Sequence, residues 1–325
     1  MKSILCAAAL AAVVASPCLA QPSIQWKLAT GYRAESFHTQ NIEAFASEVA
    51  SATRGQLKIE VAPNNSLVKL PEIPAAVAAG KVQAGEAIMS GMGKDVPLAG
   101  ADGVPFVVGT YEAVQRMWTL QRPGIERDFA KRGLKPLYAV PWPPQGLYTN
   151  KPIREARDLQ GLKMRTYNPT TVRIAELLGS VPVDVAMVQV GTALKEGRMD
   201  AMITSAVTGV ENKVWGGLTH YYELNAWFPK NIVFVNAKAF DALPAATRKV
   251  VLESAARAEA RGFALSQEAA HSATVELRRN GIKVEPVPFE LSRDLKRLGE
   301  KFSREWVASV GNAANEIFIP FYDLK

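Results

Sequence analysis

Cysteine is nearly absent: the 325 residues hold two, Cys6 and Cys18, both within the first twenty positions. That stretch starts with the basic Lys2, runs through an apolar, alanine-rich segment over 4–14 and ends in Cys18-Leu19-Ala20, with small residues where a signal peptidase tests them. It predicts a signal peptide over 1–20, cleaved before Gln21, and a cysteine-free exported chain with no disulfide framework. Pro17 ahead of Cys18 disfavours the alternative of a lipid-modified cysteine. Long apolar runs are missing too, since 4–14 is too short to cross a bilayer and stay there. Histidine is scarce, and His38, His220 and His271 are too dispersed for a recognisable metal motif. The chain has no internal repeats and no block of like charge; its 38 Lys and Arg against 31 Asp and Glu give +7, or +6 once Lys2 is removed. Charge spread so thinly excludes a nucleic-acid tail. Gly91-Met92-Gly93 falls short of a dinucleotide fingerprint or phosphate loop, and no serine sits in a Gly-x-Ser-x-Gly elbow. The reading is of a protein that is not an enzyme and carries no cofactor and no metal.

What remains after cleavage is about 305 residues (325 less 20), enough for a large core or two domains. Residues 24–29 read as an opening strand, and 39–53 carries Ile42, Phe45, Ala46, Val49 and Ala50 at helical spacing. Alternation over 57–61 predicts a strand, 63–66 a turn, 70–79 a helix and 86–89 a short strand. This rhythm predicts an α/β domain with a mostly parallel sheet. Pro141, Pro143 and Pro144 predict a rigid crossing or loop, after which 146–149 opens a second sheet. Further strands are expected at 162–165, 181–183, 199–203 and 232–235, and helices at 171–178 and 192–195. The stretch 241–280 is rich in helix formers but too long for an ordinary single helix, with Gly262 as a candidate bend. A last helical region over 291–317 carries Leu295, Leu298, Phe302 and Trp306 at spacings of three and four.

In order and interval, Thr53-Arg54-Gly55-Gln56-Leu57-Lys58-Ile59, Val61-Ala62-Pro63-Asn64-Asn65-Ser66-Leu67, Asn150-Lys151-Pro152-Ile153, Asp158-Leu159-Gln160-Gly161-Leu162-Lys163-Met164-Arg165 and Ala193-Leu194-Lys195-Glu196-Gly197-Arg198-Met199-Asp200-Ala201 resemble one family. It is the DctP-like periplasmic solute-binding component of tripartite ATP-independent periplasmic (TRAP) transporters, and the resemblance covers nearly the whole mature chain. It implies a two-lobed periplasmic binding protein fold with lobes discontinuous in sequence, joined by hinge strands and a long helix. Residues 21–144 plus 231–270 would form one lobe, and 145–230 plus 271–325 the other. It also implies a periplasmic protein that closes over a small organic carboxylate and presents it to TRAP membrane permease subunits; no nucleic-acid partner is expected, and the expected state is a monomer.

The resemblance places Arg165 where the family's carboxylate-binding arginine lies, and its planar fork of donors suits a carboxylate bidentately. Two departures bear on the ligand. Gln145 stands where many relatives have a second arginine, and Ser205, beside Thr204, where an asparagine is frequent. Trp142, Tyr167 and Trp215 supply aromatic faces. Met89 and Ser90 lie on a loop that approaches the ligand in the family, and Phe37, His38 and Gln40 lie where the first loop enters a helix. Together these predict a monocarboxylate, of aromatic 2-oxo or 2-hydroxy type such as benzoylformate or mandelate. A C4-dicarboxylate or a sugar acid is the alternative, followed by a periplasmic interaction protein without a transport role and, last, an enzyme.

Overall fold

The computed structural model describes residues 23–323; the expected signal peptide lies outside them. In chain order the regular elements are β1 (Ile24–Ala29), α1 (Phe37–Ala52), β2 (Leu57–Ala62), α2 (Ile73–Ala78), β3 (Ala84–Ile88), α3 (Tyr111–Ala130) and β4 (Leu134–Pro141). There follow β5 (Gln145–Thr149), β6 (Lys163–Thr166), α4 (Pro169–Leu177), β7 (Val181–Asp184), α5 (Val190–Lys195), β8 (Ala201–Ser205), α6 (Ala206–Glu211) and β9 (His220–Tyr222). The chain ends with β10 (Lys230–Asn236), α7 (Ala237–Asp241), α8 (Ala245–Arg279), β11 (Lys283–Glu285), α9 (Phe289–Val310) and α10 (Asn312–Tyr322). No described helix is long and apolar enough to cross a membrane.

Two mixed sheets make two lobes, one in the order β2-β1-β3-β10-β4 and the other β11-β9-β5-β8-β6-β7. In the first, β1 is parallel to β2 and β3, while β10 returns antiparallel between β3 and β4. That leaves β4 on an edge, where Pro136 and Pro141 cost no central ladder bond. The proline cluster is therefore half strand, with Pro143 and Pro144 alone in the crossing to β5.

The long helical stretch is one unbroken helix of 35 residues. Gly262 marks a close approach in it and no break: a Cβ there would stand 2.3 Å from Val140 and 3.0 Å from the Asn41 amide. α8 packs on α1 and β4 of the first lobe, then on α6 and β11 of the second, so a division at 270 cuts through a helix shared by both. The break comes later, at Gly311 with φ +71°, which separates α9 from α10. This corrects the expectation that 271–325 stays with the second lobe. α10 returns to α3 of the first lobe, where Arg127 pairs with Glu316 at 2.7 Å and Ile317 and Phe321 enter the first lobe's core.

The lobes meet on both sides of the cleft. Arg33, just after β1, donates to the carbonyls of Val188 and Glu211 at 3.0 Å and to Asn212 Oδ1 at 3.2 Å. On the other side Asn168, the N-cap of α4, donates to Ser90 Oγ at 2.7 Å. The cleft is bridged by polar bonds on both sides, a closed arrangement.

Candidate functional site

Between the lobes lies a cavity of about 580 Å³. Its walls come from one end of both sheets. Tyr32 follows the C-terminus of β1, Asn65 that of β2, Ile88 closes β3 and Trp142 follows β4. From the second lobe come Arg165 near the end of β6, Asp184 at the end of β7, and Thr204 and Ser205 at the end of β8. Gln145 opens the antiparallel β5 and pairs directly with Ser205. Carboxyl ends of strands form the usual ligand crevice of open α/β sheets. Gly146 is required beside it, since a Cβ there would strike the Tyr221 ring at 2.3 Å.

Of the two cations that line the cavity among the described residues, Lys69 is exposed and Arg165 is buried, with 3% of its surface exposed. Its Nε donates to the Val185 carbonyl at 2.9 Å, and its Cζ sits 4.6 Å from the centre of the Tyr167 ring. That anchors the stem of the fork and leaves the two terminal nitrogens for a ligand. Burial lowers its pKa to about 10, which still leaves a full positive charge at neutral pH. Tyr167 is pushed up to about 12 by burial and so remains a donor, giving its hydroxyl to Gln145 Oε1 at 3.3 Å. Gln145 in turn donates to the Pro143 carbonyl at 2.8 Å. The Ser205 hydroxyl accepts from the Thr208 amide at 3.3 Å and caps α6.

Behind Tyr32 and Trp142 lies a buried polar group. Glu86 accepts from Thr30 Oγ1 at 2.5 Å and Asn231 Nδ2 at 2.8 Å, and His38 Nδ1 lies 3.5 Å away. Burial pushes the Glu86 carboxyl up to about 7. The native state then keeps a proton that the unfolded chain has released, so this group's contribution to stability falls as pH rises from about 4.5 to 7. Glu86→Gln abolishes the titration. Its unfolding free energy relative to wild type should rise by about 2–3 kcal/mol between pH 5 and pH 8. Burial holds His38 neutral well below its ordinary pKa, an effect of opposite sign that is common to both proteins and cancels in the difference. Urea unfolding of both proteins at the two pH values measures this; a pH-independent difference would mean that Glu86 ionises normally.

The pattern of the bacterial extracellular solute-binding proteins of family 7, DctP, matches residues 28–305. The chain belongs to the DctP family. A structure of DctP7, a Bordetella pertussis extracytoplasmic solute receptor binding pyroglutamic acid, is 35% identical; the match covers 92% of this chain and 99% of that one, with a TM-score of 0.90. A marine metagenome TRAP solute binding protein specific for pyroglutamate, in complex with co-purified pyroglutamate, is also 35% identical, with coverages of 93% and 99% and a TM-score of 0.90. A TRAP periplasmic protein from Chromohalobacter salexigens with bound D-glucuronate is 19% identical over 90% of this chain and 98% of that one, with a TM-score of 0.84, and shares the fold. As a DctP protein, this chain is a two-lobed periplasmic solute-binding protein of a TRAP transporter, and not an enzyme. It binds a carboxylate for delivery to a TRAP permease, the partner that family membership implies.

In this DctP protein Arg165, Gln145, Trp142, Tyr167, Thr204 and Ser205 line the cavity. The other expected contacts do not. His38 and Phe37 form a layer behind Trp142, with ring centres 4.3 and 5.6 Å from it. Gln40, on the same first turn of α1, points to solvent. Met89 is fully buried in the first lobe's core, and Ser90 is engaged by Asn168, so Ile88 represents this segment in the cavity. Trp215 is half-buried against the second lobe's core. Tyr32, Asn65, Asp184, Gln189 and Thr208 line the cavity unforeseen. Their common signal was a position just past the end of a strand or on the first turn of a helix.

Proposed function

We propose that the cavity takes a compact cyclic monocarboxylate of the pyroglutamate type. The observation that carries this reading is one buried cation among the described residues of the cavity: Arg165 balances one carboxylate, and Gln145 takes the place of a second charge. The remaining lining suits a small ring bearing an amide. Gln145, Asn65, Thr204 and Thr208 offer polar atoms of both kinds, and the Asp184 carboxylate offers an acceptor for an N–H. Tyr32 and Trp142 close over a ring face. An aromatic 2-oxo acid is less well supported, because Trp215 lies outside the cavity and the Arg165 guanidinium already covers Tyr167. The two relatives at 35% identity, both pyroglutamate binders, lend further support; the glucuronate protein shares the fold alone.

The ligand bridges the lobes and favours the closed form by differential contact, and the closed surface is what the permease reads. Residues 1–20 direct export and are removed, so the periplasmic protein should begin at Gln21 by mass spectrometry.

A thermal-shift screen of refolded, ligand-stripped protein tests the ligand class. At 100 times Kd a ligand adds about 2.7 kcal/mol of apparent stability. L-pyroglutamate should raise Tm well above benzoylformate, succinate or glucuronate. A selective rise with one of those three would replace the proposed ligand.

A further inference from the structure

The aromatic wall of the cavity is held from behind by one amide. Asn231, the second residue of β10, is buried and does not itself line the cavity. Its Oδ1 accepts from both Tyr32 Oη at 3.2 Å and Trp142 Nε1 at 2.9 Å, and its Nδ2 donates to Glu86 Oε1 at 2.8 Å. The two ends of a carboxamide are nearly alike in shape, so partners alone decide which way it faces. Glu86 offers Asn231 an acceptor, which draws the NH₂ inward and turns the carbonyl toward the wall. The register of β10 leaves little freedom, because Asn231 pairs with Ile88 on one side and Val140 on the other. Tyr32 and Trp142, by contrast, lie beyond the strands that precede them. The two rings pack on each other, with centres 5.2 Å apart, and His38 backs them, its ring centre 6.0 Å from Tyr32 and 4.3 Å from Trp142.

We infer that Asn231, oriented by Glu86, is a positioning residue for ligand binding: it fixes the two rings that shape the cavity shared with Arg165. The inference rests on the cavity being the carboxylate site.

An exchange of polarity tests it. At pH 8, above the Glu86 pKa of about 7, Asn231→Asp alone sets two carboxylates against each other and removes the donor between them. Adding Glu86→Gln returns one donor facing one acceptor, with the original number of charges. By calorimetry with L-pyroglutamate, Asn231→Asp should bind about 10- to 100-fold more weakly than wild type, and the double variant within about 3-fold. The ¹⁵N–¹H indole signal of Trp142, assigned by its loss in Trp142→Phe, gives a second readout without ligand. It should move in Asn231→Asp and return in the double variant. Wild type failing to bind L-pyroglutamate would count against that ligand, and the indole signal would still decide the role of Asn231. A folded Asn231→Asp with wild-type affinity and indole position overturns the inference, as does a double variant no closer to wild type than the single. If Asn231→Asp does not fold, the double variant decides: refolding with the wild-type indole position supports the inference, and failure to recover either overturns it.

Discussion

Arg165→Met is expected to weaken carboxylate binding by about 30- to 1,000-fold, or ~2–4 kcal/mol, while leaving the ligand-free protein as stable as wild type or more so. The two effects share one cause. Burial desolvates the guanidinium, which is why its pKa falls to about 10; Tyr167, Tyr32 and the Asp184 carboxylate offset that only in part. A folded-state pKa lowered from 12.5 marks a buried cation that costs native stability, here on the order of 3 kcal/mol. A bound carboxylate offsets that cost, so the charge is retained for binding and not for folding. Methionine keeps the apolar stem over Tyr167 and removes the charge. Arg165→Lys should also bind weakly, because a point charge cannot reproduce the two-pronged contact. Calorimetry and thermal melts of ligand-stripped protein test both halves. Binding unchanged in Arg165→Met would remove Arg165 from the site, and a large drop in the ligand-free Tm would make it a structural residue.

The largest loss of stability is expected at Asp102 and Lys230. Lys230 opens β10, and its Nζ lies 2.5 Å from Asp102 Oδ1 with neither side chain exposed beyond 1%. The Lys230 amide also donates to Asp102 Oδ2, at 3.0 Å. Burial raises the Asp102 pKa even though the lysine lowers it, so desolvation outweighs the attraction. A pair of this kind adds little net stability, yet breaking it strands a charge. Lys230→Met or Asp102→Leu alone should each cost about 3–5 kcal/mol. The double change to Asp102→Leu with Lys230→Met should recover most of that, since an apolar pair replaces an expensive polar one. Urea unfolding of the four proteins makes the cycle. Single variants within about 1 kcal/mol of wild type would mean that water reaches the pair.

Much of the fold was legible because strand and helix periods are local. The strands expected at 24–29, 57–61 and 232–235 match β1, β2 and β10, the second by alternation and the last as a short apolar run, and three–four spacing over 39–53 gives the first helix. β4 was hidden, because Pro136 and Pro141 read as breakers until its edge position is known. The single α8 was hidden by Gly262, whose meaning lies in Val140 and Asn41 and not in its neighbours along the chain. The site divided in the same way. Arg165, Gln145, Thr204 and Ser205 sit on strands whose family pattern carries their positions. Tyr32 and Asn65 enter from beyond strand ends and Asp184 from the last residue of β7, where only the assembled sheets bring them together. His38 lay one layer too deep for sequence to judge, because its burial behind Trp142 is a long-range contact.

Capture of a compact monocarboxylate by Arg165 in the closed cleft is the proposed function. Its most direct measurement is calorimetry of the ligand-stripped protein with L-pyroglutamate and with its neutral carboxamide, which differ only at the group meant for Arg165. The acid should bind at least about 100-fold more tightly than the amide, the worth of a charge-assisted bidentate contact out of water. Equal affinities for the two would contradict capture through Arg165.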